Sequence, residues 1–165
     1  MSELLIVNTG GTFNKRYREI EGDLAVPADE LALEGMLVHF RGNVDYRLIG
    51  LIHKDSLEMK EADRALLARR INEEAHARIL VVHGTDTLHQ SAAFLEAQCP
   101  GRRIVLTGAM RPAAFADSDA MMNFAMSYGF LMADRAPGVF IGLHGLVRPH
   151  GQISKDRMAG VFRAC

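Results

Sequence analysis

Apolar residues fall into short uninterrupted runs, separated by longer stretches with helical spacing. Leu4 to Val7 and Ile79 to Val82 contain no polar residue. A strand with one solvated face alternates apolar and polar positions; a strand covered on both faces does not. These runs therefore predict strands buried between two layers. Ile104 to Thr107 and Gly138 to Leu143 read as further strands, and Val44 to Ile52, with mixed alternation, as another. Leu146-Val147 is placed to pair back across the His144-Gly145 turn, and Val161-Phe162 form a last short apolar element.

Between the strands, four segments fit helices: Ala28 to Phe40, Glu58 to Glu74, Thr87 to Ala97 and Ala116 to Ala133. The first has Pro27 or Ala28 near its first turn and Asp29 and Glu30 early, which suits the helix dipole. The last carries Met121, Met122, Met126 and Met132, expected as adaptable core filling rather than a binding groove. Asn14 to Gly22 is polar without a period and predicts a mobile loop or loose hairpin. The alternation βαβαβαβαβ predicts an α/β fold. Its sheet should be mostly parallel with helices on both faces, a Rossmann-like three-layer sandwich joined by right-handed crossovers. No repeat, low-complexity tract or linker is visible, so residues 1–165 read as one domain.

Composition narrows the partners. The chain is 48% hydrophobic and 24% charged, with a formal net charge of -1. There is no basic stripe, so nucleic acid is not an expected partner. No apolar run approaches membrane-spanning length, so no membrane partner is expected. Met1-Ser2-Glu3 leads into a strand without a basic n-region or cleavage site, which predicts a cytoplasmic protein. Cys99 and Cys165 are expected as free thiols. No metal-ligand spacing occurs and the seven histidines are scattered; neither a metal nor an organic cofactor is expected.

The candidate chemistry lies where strands end. Open α/β sheets bind ligands at the carboxyl ends of their strands, and four such ends carry small polar or glycine-rich sequences. The first is Asn8-Thr9-Gly10-Gly11-Thr12-Phe13. Its glycine pair either makes a tight turn only or leaves backbone N–H groups to meet an anion; neither a dinucleotide fingerprint nor a Walker loop is present. The second is His53-Lys54-Asp55-Ser56, where Asp55 and Ser56 either orient a ligand or cap the next helix. The third is His83-Gly84-Thr85-Asp86-Thr87, with a hydroxyl and a carboxylate side by side. The fourth is Thr107-Gly108-Ala109-Met110-Arg111-Pro112, followed by Asp117, Ser118, Asp119 and Asn123. Among these last four, one is expected to cap a helix while another points into the cleft. Tyr17 is a solvated loop tyrosine or a lid residue. Lys155, one of four lysines, is placed by pattern alone on a solvated loop.

As an ordered set these motifs resemble the bacterial-type L-asparaginase family, which also contains glutaminases and glutamyl-tRNA amidotransferase subunits. The resemblance covers nearly the whole chain but only the family's larger N-terminal domain, implying a short form without the C-terminal domain. It implies that Thr12 is the nucleophile, that Tyr17 helps to activate it, and that Thr85, Asp86 and Lys155 form a second, triad-like group. Ser56 and Asp86 match residues that hold the α-carboxylate and α-amine of the substrate. Asp55, Gly84 and Ala109 join them in the expected substrate-binding set. The family's usual glutamine after the serine is Leu57 here. In long relatives a neighbouring subunit's C-terminal domain adds an acidic residue near the substrate amine; short forms that lack it are known.

The implied reaction is hydrolysis of the L-asparagine side-chain amide, through a threonine ester, to L-aspartate and ammonia. A threonine hydroxyl is a weak nucleophile and needs activation, and backbone N–H groups near Gly10-Gly11-Thr12 or Gly84-Thr85 are the expected oxyanion donors. The sequence leaves Thr12 and Thr85 open as primary nucleophile. It also leaves open two alternatives: another amide, such as glutamine or a modified asparagine, and a non-catalytic amino-acid-binding relative. The partners expected are a small amino-acid substrate and further copies of the chain. A homo-oligomer, dimer or larger, would cover the surface that a lone domain leaves exposed.

Overall fold

Each uninterrupted apolar run becomes an inner strand of one sheet. The structure is a computed structural model that describes residues 3–133 and 135–165. Its elements are β1 (Leu4–Gly10), a hairpin of β2 (Arg16–Arg18) and β3 (Asp23–Ala25), α1 (Leu31–Leu37), β4 (Tyr46–Lys54), α2 (Glu61–Glu73), β5 (Arg78–Val82), α3 (Leu88–Gln98), β6 (Arg103–Thr107), α4 (Ala120–Met132), β7 (Gly138–Leu143), β8 (Leu146–Pro149), β9 (Ile153–Asp156) and β10 (Val161–Ala164). Six strands form the main sheet in the order β4-β1-β5-β6-β7-β8, and β9 and β10 pair separately. The first five run parallel; β8 returns antiparallel along β7, with Leu143 opposite Leu146. Among the described residues no helix is long and apolar enough to cross a membrane.

The two faces divide the apolar runs by alternate residues, as a strand's period of two requires. Leu5, Val7, Ile79, Val81, Ile104 and Leu106 point to one face and pack against Leu67 and Ile71 of α2 and Leu88 and Leu95 of α3. Leu4, Ile6, Leu80, Val82 and Val105 point to the other, against Leu33 and Leu37 of α1 and Phe124 and Leu131 of α4. Burying each such aliphatic side chain contributes roughly 1.5–3 kcal/mol of transfer free energy. The absence of alternation in the sequence is the trace of this two-sided cover.

The faces also correct the expectation of uniformly right-handed crossovers. The chain steps from β1 to β4 in one direction through α1, and from β6 to β7 in the other direction through α4. Helices α1 and α4 nevertheless share a face. The two connections therefore have opposite hands. The steps through α2 and α3 lie on the opposite face and share the hand of the α1 step, which leaves β6-α4-β7 as the exception to the right-handed rule. The reversal has a structural consequence. With α4 on the far side, the face of β7 beside α3 is covered instead by Ile153 of β9 and Phe162 of β10. That docking carries Lys155 to the sheet edge, on a strand and not on the solvated loop that pattern alone gave it.

Other differences are local. Of the loop and the hairpin expected over Asn14 to Gly22, the structure has the hairpin, in which Tyr17 pairs with Leu24 across β2 and β3. Arg16 grips Asp29 through two guanidinium bonds of 2.8 and 2.5 Å. Asp29 also accepts the Leu31 N–H at 3.1 Å, so it lies ahead of α1 and the helix starts at Leu31. The last helix starts at Ala120 instead of Ala116, because Asp119 gathers the preceding loop by accepting from the Met110 and Arg111 N–H groups. Met121 and Met122 are not core filling, being 42% and 53% exposed, while Met126 and Met132 are half-buried. Ala120, Phe124 and Leu131 fill the core from this helix.

Candidate active site

The carboxyl ends of β1 and β5 adjoin where the chain leaves β1 toward one side of the sheet and β5 toward the other. That is the switch point at which open α/β sheets place ligands. Gly10 and Gly11 have φ of 99° and 75°. A Cβ on Gly11 would stand 2.4 Å from Gly84 Cα and N, and one on Gly10 would stand 2.5 Å from the Lys54 carbonyl oxygen. Only glycine at both positions lets the Thr12 turn press against both neighbours. Thr12 then opens a single 3-10 turn through Asn14. It is half-buried, and among the described residues its hydroxyl takes no hydrogen bond.

A pair of amides locks this turn. Asn8 and Asn14 donate to each other's side-chain oxygens, both at 2.9 Å. Asn8 Oδ1 also accepts from Gly10 N at 3.1 Å, and Asn14 Nδ2 donates to Gly10 O at 2.7 Å. Asn8 further donates to Glu30 at 2.5 Å, and Glu30 meets His53 at 2.5 Å. Sequence reasoning missed this clamp. The available signal was Asn8 itself, a polar residue closing a fully buried strand, which must find partners.

The other half of the site is Thr85, Asp86 and Lys155. The Lys155 ammonium donates to Thr85 Oγ1 at 2.9 Å and to Asp86 Oδ1 at 2.8 Å. Thr85 Oγ1 turns its own proton toward Met110 Sδ at 3.5 Å. Thr85 is 6% exposed. Arg157, unnoticed in the sequence, donates to the Asp86 carbonyl at 3.2 Å and brings a second cation to 3.7 Å from its carboxylate. Thr12 and Thr85 thus stand on two turns in backbone contact through Gly11 and Gly84.

A buried relay supports the second turn. His83 has no exposed surface. Its Nδ1 lies 2.7 Å from the Gly84 carbonyl, and its Nε2 lies 2.7 Å from Ser91 Oγ. A carbonyl can only accept, so Nδ1 carries the proton and Nε2 accepts from Ser91. Ser91 Oγ in turn accepts from Arg64 Nε at 3.1 Å. Burial pushes the imidazole down to about 4, although the Gly84 bond favours its charged form. His83 is therefore neutral at physiological pH and positions the peptide that carries Thr85.

The remaining expected site residues are placed less uniformly. Ser56 is 1% exposed; its hydroxyl oxygen accepts from Asp86 N at 3.2 Å and Thr87 N at 3.3 Å. Gly84 makes room for it, since a Cβ there would stand 2.7 Å from Ser56 Cβ. Asp55 caps the short turn after β4 through the Leu57 N–H at 3.1 Å and pairs with Lys15 at 2.8 Å. Burial opposes ionisation of Asp55, but Lys15, the Leu57 N–H and the charge of Lys155 together lower its pKa. Leu57 is 69% exposed. Tyr17 is 63% exposed on the hairpin, and among the described residues its hydroxyl makes no hydrogen bond. Ala109 has no exposed surface and packs in the core, so its side chain does not face a ligand. Two expected oxyanion donors are already committed: Gly10 N to Asn8, and Gly11 N to the Lys54 carbonyl at 2.9 Å. Among the described residues the N–H groups of Thr12 and Thr85 take no acceptor. No group of three or more His, Cys, Asp or Glu side chains among those residues can hold a metal ion, and Cys99 and Cys165 are free.

Comparison with known proteins bears on the family and the fold. The chain is 27% identical over 164 residues to the L-asparaginase of Thermococcus kodakarensis, covering 96% of this chain and 49% of that protein. It is 32% identical over 161 residues to a glutamyl-tRNA(Gln) amidotransferase subunit of Archaeoglobus fulgidus, covering 94% of this chain and 36% of that protein. The thermostable L-asparaginase structure from Thermococcus kodakarensis superposes with a TM-score of 0.85 at 24% identity, over 98% of this chain and 50% of that one. A probable cytoplasmic L-asparaginase from Campylobacter jejuni gives 0.83 at 22% identity, over 99% and 53%. At these identities the two structures establish the fold, and the chain spans about half the length of the relatives, or less. The family model for the asparaginase N-terminal domain matches residues 3–160, and the chain belongs to the asparaginase family.

Proposed function

We propose that the chain is an amidohydrolase that converts L-asparagine and water to L-aspartate and ammonia through a threonine ester. The observation that carries this reading is the Lys155–Thr85–Asp86 set standing in backbone contact with the Thr12 turn. Thr12 is the nucleophile: its hydroxyl is half-buried and uncommitted, whereas the Thr85 hydroxyl is engaged on both sides. Thr12 Oγ attacks the side-chain amide carbon, and its proton passes to the amide nitrogen. The N–H groups of Thr12 and Thr85 face the oxyanion. Ammonia leaves with a proton, water attacks the resulting ester, and Thr12 recovers its hydrogen.

Asp86 takes the substrate amine. Ser56, whose oxygen already accepts two N–H groups, keeps its own hydroxyl proton for the carboxylate. Tyr17 reaches Thr12 only if the β2–β3 hairpin closes inward, so the hairpin serves as a lid. The free thiols, and the likeness to a probable cytoplasmic L-asparaginase of Campylobacter jejuni, favour the cytoplasm as the site of the reaction. No metal or organic cofactor enters any step.

The amidotransferase relative, at 32% identity, and the exposed Leu57 favour a second reading, in which glutamine or a modified amide is the substrate. Purified protein assayed for ammonia release from asparagine, glutamine and β-N-substituted asparagines decides between them. Highest kcat/KM on asparagine is expected. No release from any amide would overturn both readings.

A further inference from the structure

We propose that His144 is a positioning residue for Lys155, holding the β9–β10 hairpin in its working place by bridging Asp119 to the Phe162 N–H. The inference rests on the reading of Lys155 as part of the reacting site. Lys155 reaches Thr85 from β9, and its cross-strand partner on β10 is Phe162. The Phe162 N–H donates to His144 Nδ1 at 3.2 Å, while His144 Nε2 lies 2.9 Å from Asp119. A backbone N–H can only donate and a carboxylate can only accept. The bonding therefore assigns one tautomer: Nδ1 is bare and Nε2 carries the hydrogen. The Phe162 ring meets the imidazole edge-on, with centroids 5.9 Å apart.

The same carboxylate organises the opposite side of Thr85. Asp119 accepts from Met110 N at 3.0 Å, and the Met110 sulfur receives the Thr85 hydroxyl. His144 and Asp119 together thus brace both neighbours of the Thr85 oxygen, the ammonium and the thioether. His144 is itself pinned: its N–H donates to Asn123 Oδ1 at 3.0 Å, and its φ is 53°. That backbone conformation is uncommon for a residue with a Cβ, so the ring is held where it can bridge.

A side chain without an acceptor at the Nδ1 position would leave the Phe162 N–H unpaired, and the bridge to β10 would be lost. Arg163 and Asp156 pair with each other at the outer edge of the hairpin. Loss of the bridge loosens β10, and with it the strand that carries Lys155.

Acetic anhydride footprinting read by mass spectrometry tests this, with Lys60 as the internal reference. His144→Phe removes both bonds; His144→Gln retains one donor and one acceptor. In folded His144→Phe, Lys155 is expected to acetylate about fivefold faster relative to Lys60, and kcat to fall about tenfold with KM little changed. His144→Gln should recover most of both. Unchanged Lys155 labelling in folded His144→Phe would overturn the proposal. Should His144→Phe not fold, His144→Asn decides, because its shorter side chain does not span Phe162 N and Asp119 together. Hydrogen exchange of residues 161–165 should be less protected in His144→Asn than in wild type, with His144→Gln close to wild type. Protection equal to wild type in His144→Asn would overturn the proposal. Labelling and exchange do not require turnover, so a protein without ammonia release would refute the proposed function and leave these measurements decisive.

Discussion

The Lys155 ammonium donates to the Thr85 hydroxyl across 2.9 Å, from a strand separated from it by the whole β6–β8 region. A charged ammonium has three hydrogens and no lone pair. In this arrangement it donates to the Thr85 oxygen and accepts nothing from it. In the proposed reaction Lys155 therefore acts by electrostatics.

Removing that charge tests the assignment. Lys155→Met and Thr85→Val are each expected to lower kcat for asparagine by about 10² or more, the scale of losing a group that acts in the transition state. Both variants should keep their melting temperature within a few degrees, because neither side chain belongs to the apolar core. Wild-type turnover in either folded variant would remove the set from the mechanism.

Thr12 and Ser56 are expected to separate kinetically. Thr12→Ala deletes the attacking oxygen and should lower kcat by about 10² or more while KM stays near wild type. Ser56→Ala removes the acceptor of two N–H groups at the start of the Thr85 turn as well as the donor to the carboxylate. It should mainly raise KM. Equal kcat in Thr12→Ala and wild type under saturating asparagine would return the nucleophile's role to Thr85.

The inner strands were legible in the sequence because cover on two faces leaves a local trace, the loss of alternation. The motifs at their ends were legible for the same reason: glycines and hydroxyls stand out against an apolar run. The hand of β6-α4-β7 was not. Handedness depends on which face a helix covers, and the spacing of Ala120, Phe124 and Leu131 reads alike on either face. Nor were the partners of Asn8, His83 and His144 visible. Asn8 finds Asn14 within a single turn, but His83 reaches Arg64 only through Ser91 of α3. His144 has partners at Asp119, Asn123 and Phe162. A polar residue at a strand end announces that it needs partners, not which distant element supplies them. Around Tyr17 the charged surrounding left loop and hairpin both open, and ion pairs from Arg16 and Arg18 hold the hairpin.

Gly11→Ala probes the contact that joins the two turns. A Cβ would meet Gly84 backbone atoms at 2.4 Å, and φ of 75° disfavours any side chain. Backbone cannot yield as a flexible side chain does. A loss of roughly 2 kcal/mol or more in urea unfolding is expected, with loss of activity in whatever remains folded. Gly42→Ala also has positive φ but meets nothing within 4 Å, so it should cost less. Equal losses in the two variants would show that the close approach is unimportant.

The α1–α4 side of the molecule predicts self-association. Leu31 is 58%, Val38 65% and Met122 53% exposed there, beside a cavity of about 450 Å³ lined by Leu31, Ala32, Met36, Ala113 and Met121 among others. Exposed apolar surface of this kind is stabilised by a partner surface. Light scattering at micromolar concentration should give a dimer or larger; a mass of 18.2 kDa would refute this.

His83 makes a distinct prediction about acid. Its folded pKa is about 4, against an ordinary value of 6.5. Between those values the unfolded chain binds a proton at this position and the folded chain does not. Stability therefore rises with pH across the window: it is full above about 6.5 and lost as pH falls toward 4. The shift corresponds to roughly 3 kcal/mol. His89, shifted in the same direction chiefly by burial, adds to the slope. The half-buried carboxylates overlap only the acid end of this window. Asp55, Asp63 and Asp119 are held below their ordinary value of 3.8, so their contribution begins to be lost near about pH 5 and continues below about pH 4, and the comparison with His83→Gln separates the imidazole from them. The expected result is a urea midpoint that declines steadily from about pH 6.5 to about pH 4. In His83→Gln, which keeps a donor for the Gly84 carbonyl and an acceptor for Ser91 without a titrating proton, the decline should be much shallower. A wild-type midpoint that is flat across the window, or an identical slope in His83→Gln, would show that the relay beneath Thr85 does not depend on a neutral imidazole.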